Sequence, residues 1–225
     1  MRQGGGGTGP PGGTLSGMDI SDLTARARRL ARTGGRRVLG IAGPPGAGKS
    51  TLAGRITDAL GPLAVLVPMD GFHLAQAELE RLGRTGRKGA PDTFDAAGYV
   101  ALLRRLRAPE SGTVVYAPAF DRALEEPVAG AVPVPPEVPL VVTEGNYLLY
   151  GEGHWASVRG LLDEAWYLEV DDAVRVPRLV ERHVRYGRRR ADAERWVARS
   201  DEANARLLGP GRDRADLVVR PGAGS

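Results

Sequence analysis

Cysteine is absent from the 225 residues, and lysine occurs only at Lys49 and Lys88. Without cysteine there is neither a disulfide framework nor a thiolate metal site. The histidines, His73, His154 and His183, are too dispersed to suggest a metal centre. No run approaches the ~18 uninterrupted apolar residues of a membrane span. The stretch from Met1 to Gly17 also lacks the apolar centre of a signal peptide. The expected location is therefore the cytoplasm, with no membrane partner. Aromatic residues make up 5%, which disfavours an elaborate base-stacking pocket. No N-K-x-D-like segment that would read a guanine base is present.

Apolar residues make up 42% and charged residues 26%, which suits one globular domain with a sizeable core. Residues 18–225 read as that domain, and the Gly/Pro/Ser-rich residues 1–17 as a disordered tail. The net charge of +4 comes mostly from arginine, densest between Arg175 and Arg190. No nucleic-acid motif accompanies it, so nucleic acid is not an expected partner. A homodimer stays open.

Hydrophobic periodicity predicts helices over 21–32 (capped by Ser21), 52–60, 74–82, 95–107 (capped by Asp95), 158–162, 171–186 and 192–208. It predicts strands over 38–42, 63–69, 113–116, 140–143, 165–170 and 216–219, with 128–134 as a proline-bearing edge strand. Residues 83–91, basic and glycine-rich, read as a mobile loop. Continuous apolar strands alternating with helices predict an α/β fold with a mostly parallel sheet covered on both faces.

Gly43-Pro44-Pro45-Gly46-Ala47-Gly48-Lys49-Ser50 matches G-x-x-x-x-G-K-[ST], between a strand and a helix as the motif requires. Glycines let the backbone turn N–H groups toward phosphate oxygens, and the helix start adds its positive end. Gly43, Gly46, Ala47, Gly48, Lys49, Ser50 and Thr51 are thus candidate ATP-binding residues. Lys49 would reach the β- and γ-phosphates, and the Ser50 hydroxyl would ligate Mg²⁺. The fold expected is a three-layer P-loop NTPase sandwich.

Ligands of open α/β sheets sit at the carboxyl ends of strands. Asp70 and Glu144 occupy such ends, so Ser50, Glu144 and Asp70 are the candidate Mg²⁺ residues, and both acids also border the acceptor. Position alone does not separate their roles. Asp70, however, leads through Gly71-Phe72-His73 toward the basic 83–91 loop, which points to proton acceptance from the acceptor hydroxyl. Glu144 ends an apolar strand, the usual place for the metal-holding acid.

The P-loop, Met69-Asp70-Gly71-Phe72-His73, the Arg87–Asp95 stretch and Thr143-Glu144-Gly145-Asn146-Tyr147 together resemble the phosphoribulokinase / uridine kinase / bacterial pantothenate kinase superfamily, over roughly residues 36–219. The resemblance implies Asp70 as catalytic base, Glu144 on a Walker-B-like strand, and a helical lid over about 172–192 whose arginines close on the phosphates. Arg178, Arg182 and Arg185 share one helical face. Arg178 and Arg182 are taken as nucleotide-binding, and Asp70, Lys49 and Arg182 as the catalytic set. His73, Arg87, Lys88, Phe94, Phe120, Asp121, Tyr147 and Asn204 are the remaining acceptor-site candidates. Phe120 stands where uridine kinases carry Tyr in a P-x-Y-D motif, and the chain is shorter than typical pantothenate kinases. The expected activity is ATP-dependent phosphorylation of a small-molecule hydroxyl, with pantothenate, nucleoside and ketose-type acceptors all open. The alternative is a nucleotide-switch or assembly ATPase.

Overall fold

The computed structural model describes residues 13–16 and 19–220. Along the chain lie β1 (Gly13–Ser16), α1 (Ile20–Ala31), β2 (Arg37–Ala42), α2 (Lys49–Leu60), β3 (Ala64–Pro68), α3 (Gln76–Arg81), α4 (Ala96–Arg107), β4 (Val115–Asp121) and β5 (Glu126–Val134). They are followed by β6 (Leu140–Glu144), β7 (Glu164–Leu168), α5 (Asp172–Arg185), α6 (Arg190–Trp196), α7 (Glu202–Leu208) and β8 (Leu217–Arg220).

A six-stranded parallel sheet runs in the order β1-β8-β7-β2-β6-β3. The pleat sends alternate residues to opposite faces. Leu39, Ile41, Leu140, Val142, Trp166 and Leu168 pack against α1 and α2, whereas Val38, Val141, Ala165 and Tyr167 pack toward α4 and Trp155. The result is the expected three-layer arrangement. Register positions the site: Glu144 of β6 pairs with Ile41 of β2 on one side and Pro68 of β3 on the other. These strands end level, so the loops after β2, β3 and β6 emerge side by side.

Several elements differ from the sequence expectation. Residues 13–16, expected in a disordered tail, form β1 in register with β8; the rest of that tail lies outside the described residues. Asp19, not Ser21, caps α1, its carboxylate accepting from the Ile20 N–H. Asp95 caps α4 as expected, accepting from the Gly98 N–H at 2.8 Å. Residues 128–134 do not edge the main sheet. They belong to β5, which pairs with β4 in a separate two-stranded antiparallel hairpin. Residues 153–161 form 3₁₀ turns rather than a helix. The expected 192–208 helix is interrupted by a π-helical stretch over Val197–Asp201. The loop over 83–91 is held by hydrogen bonds, among them Arg84 to the Asp92 carbonyl at 2.7 Å and the Gly89 N–H to Thr93 Oγ1 at 3.0 Å.

Candidate active site

The P-loop joins β2 to α2. The first bond of α2 runs from the Leu52 N–H to the Gly48 carbonyl at 3.0 Å. The N–H groups of Lys49, Ser50 and Thr51 therefore precede the helical ladder and present their positive end to a ligand. Gly48 has φ 91°, in the left-handed region, and a Cβ built there meets no atom within 4 Å. These features fit ATP.

Lys49 is buried, its Nζ donating to the Pro44 carbonyl at 3.0 Å and to Asn146 Oδ1 at 2.7 Å. Burial brings its ammonium down to about 8, against the attraction of Glu144 and Asp70. Ser50 Oγ donates to Glu144 Oε1 at 2.9 Å. Burial, with the nearby charge of Asp70 adding to it, pushes the Glu144 carboxyl up to about 7. A hydroxyl touching a buried carboxylate, with a second carboxylate close enough to raise its pKa, is a hard-oxygen donor set suited to a small divalent cation such as Mg²⁺.

Asp70 lies in the 3₁₀ turn Met69–Phe72 that follows β3. A Cβ on Gly71 would come 2.4 Å from the Pro118 carbonyl. Only glycine lets β4 cross that close, which brings Phe120 and Arg122 beside Asp70. Arg122 bonds the Asp70 carboxylate at 3.2 Å. His73 Nδ1 lies 2.9 Å from the Asp70 carbonyl, and its ring packs against Phe94 and Phe120, with centroids at 3.9 and 5.0 Å. Burial lowers the His73 pKa, which favours the neutral ring.

A cleft of about 690 Å³ joins these parts. Among the sequence candidates, Gly46, Gly48, Lys49, Ser50, Thr51, Asp70, His73, Lys88, Phe94, Phe120, Glu144, Arg178, Arg182 and Asn204 line it. The other candidates lie outside its lining. Gly43 and Ala47 stand behind it, with the Ala47 N–H turned to the Pro44 carbonyl at 3.2 Å. Arg87 pairs with Asp92 at 2.5 Å. The Asp121 carboxylate caps the hairpin turn, accepting from the Ala123 and Leu124 N–H groups at 2.7 and 3.0 Å. Tyr147 is buried, with its hydroxyl donating to the Gly89 carbonyl at 2.5 Å. Asn204 approaches the same carbonyl at 3.3 Å.

The expectation that Arg175 is a lid arginine is not met. It is 2% exposed, paired with Asp172 and Glu202 at 2.7 Å each, and reaches the Pro45 carbonyl at 3.4 Å. It clamps α5 and α7 to the P-loop. Arg122 and Asn146 were missed. Arg122 adjoins the Pro118–Asp121 segment already singled out, and Asn146 adjoins Glu144, so proximity to motif residues was the available signal.

Phosphate cradle, paired acids and arginine-lined cleft on a parallel sheet define a P-loop phosphotransferase. The phosphoribulokinase / uridine kinase family model matches residues 38–223, and the chain belongs to that family. A Schizosaccharomyces pombe protein provisionally named a uridine kinase is 34% identical over 172 residues, covering 72% of this chain and 73% of its own. The uncharacterized YggC of Escherichia coli is 33% identical over 189 residues, covering 82% and 77%. A solved structure from Silicibacter sp. TM1040, provisionally described as a fructose transport system kinase, is 38% identical with a TM-score of 0.82, covering 90% of this chain and 100% of that one. The protein is an ATP-dependent small-molecule kinase. No helix among the described residues is long and apolar enough to cross a membrane.

Proposed function

We propose that the chain transfers the γ-phosphate of ATP to a hydroxyl held between Asp70, Lys88, Phe94 and the β4–β5 hairpin, in the cytoplasm. The observation that carries this is the facing pair of acids across one cleft. Glu144 is bonded to the P-loop Ser50 at 2.9 Å, whereas Asp70 is bonded to Arg122 of the hairpin at 3.2 Å. One acid thus belongs to the nucleotide side and the other to the acceptor side.

In this reading the acceptor hydroxyl attacks the γ-phosphorus in line as the bond to the β-γ bridging oxygen breaks. Asp70 takes the hydroxyl proton, and ADP leaves. Lys49 holds the β- and γ-phosphate oxygens, and Arg178 and Arg182 approach from α5 to balance charge on the transferring group. Ser50 and Glu144 would hold Mg²⁺, which would supply positive charge against the phosphates there. His73, neutral and packed on Phe94, fixes the turn that carries Asp70. The names of the relatives support sugars and nucleosides as starting points for an acceptor search.

The test is ADP release across a panel of hydroxyl metabolites, with Asp70→Asn as control. The shape-preserving loss of a positioned base should lower kcat by about 10²–10⁴-fold with ATP affinity kept. A folded Asp70→Asn protein with an unchanged saturated rate would refute the base assignment.

A further inference from the structure

Arg122 is bound to the carboxylate that the reaction needs as a base. Its guanidinium lies 3.2 Å from Asp70 Oδ2, and its side chain is 45% exposed, so it is free to turn to a charged partner in the cleft. Lys88 shares this corner. Its Nζ and the Arg122 guanidinium each lie 5.4 Å from the centroid of the Phe120 ring, and among the described residues Lys88 donates only to the neutral Glu125 carbonyl, at 3.0 Å. Both residues line the cleft on the acceptor side. The Glu125 side chain is also at this end of the cleft, but it is exposed on the hairpin turn. A neutral polyol offers hydroxyls alone to these cations. An anionic group can replace Asp70 on Arg122 with charge-assisted hydrogen bonds and engage Lys88 as well.

Building on the kinase reading above, we infer that the acceptor carries a carboxylate or phosphate besides its reactive hydroxyl, and that Arg122, with Lys88, selects for that group. Arg122 is then a specificity-determining residue.

The experiment uses the full chain and matched sets on one carbon skeleton: glycerol, glycerate and glycerol 3-phosphate; and glucose, gluconate and glucose 6-phosphate. ADP release is measured for each, and binding of each is measured calorimetrically with Mg·ADP filling the P-loop. The carboxylate and phosphate arms separate the two sources of charge. At least one anionic member should exceed its neutral counterpart by about tenfold or more in kcat/KM or affinity. Arg122→Gln should lower the anionic value by about 10–100-fold, the worth of a hydrogen bond to a charged group, and so collapse the anionic-to-neutral ratio. Arg122→Lys should restore part of the preference, which a merely structural role would not. If anionic members bind and lose affinity in Arg122→Gln but none stimulates ADP release, the anion site stands and the kinase reading fails. If neutral members match or exceed the anionic ones in both readouts, or Arg122→Gln leaves the anionic-to-neutral ratio intact, the inference is overturned.

Discussion

Arg175→Ala separates a clamp from a lid. A lid arginine would be exposed without nucleotide, and its loss would cost rate but not stability. Arg175 is instead 2% exposed and reaches three elements. Removing one partner of a buried ion pair costs ~3–5 kcal/mol, because the remaining charge is left uncompensated. Here the value belongs near the lower end. The Asp172 side chain is 72% exposed and rehydrates freely, while that of Glu202 is 23% exposed and only partly does so. Loss of the packed aliphatic stem adds to this. A total of ~3–4 kcal/mol corresponds to a fall in Tm of about 6–16 °C for a chain of this size. Thermal and urea unfolding of the nucleotide-free protein would measure it. Arg175→Met with Glu202→Leu, which removes both charges, should recover much of the loss. The ATP KM of Arg175→Ala should also rise, since the Pro45 carbonyl loses its anchor. An unchanged Tm together with a fallen kcat would refute the clamp.

Three further outcomes are expected. Lys49→Ala should reduce turnover to near background without unfolding the chain, read by ADP release and circular dichroism; near-normal turnover would remove the P-loop assignment. The nucleotide-free protein should lose stability as pH rises from about 4.5 to 7. Over that window folded Glu144 keeps a proton that the unfolded chain releases. The loss should shrink in Glu144→Gln, and Tm measured against pH in both proteins checks it. Deleting residues 1–18 removes β1 from β8 and should lower Tm while leaving kcat unchanged; a fallen kcat would show that this segment reaches the site.

The phosphate side of the cleft was legible because its chemistry is local. The motif from Gly43 to Ser50 is complete within one turn, and buried parallel strands announce themselves as unbroken apolar runs such as Leu140–Thr143. The acceptor side was less legible. Pro118, Pro127 and Pro133 argue against a central strand, yet they are accommodated in a two-stranded hairpin outside the main sheet. Arg122 and Asn146 enter the cleft through turn geometry, which periodicity does not encode. Arg175 was misplaced because a charged residue at the head of an arginine-rich helix reads as part of the lid. Its partner Glu202 is distant in sequence, beyond a helix break that the pattern from Asp192 to Leu208 does not reveal.

Among the described residues, the β4–β5 hairpin shares no strand pairing with the six-stranded sheet. It is spliced in between α4 and β6 and meets the rest of the cleft through the turn at Asp70. Such an attachment separates two kinds of inheritance. Phosphate chemistry is anchored in strands whose register leaves little room to drift, whereas the hairpin can lengthen, shorten or change its side chains without disturbing that register. Grafting residues 115–134 between relatives is therefore a direct way to ask which part of this enzyme remembers its substrate.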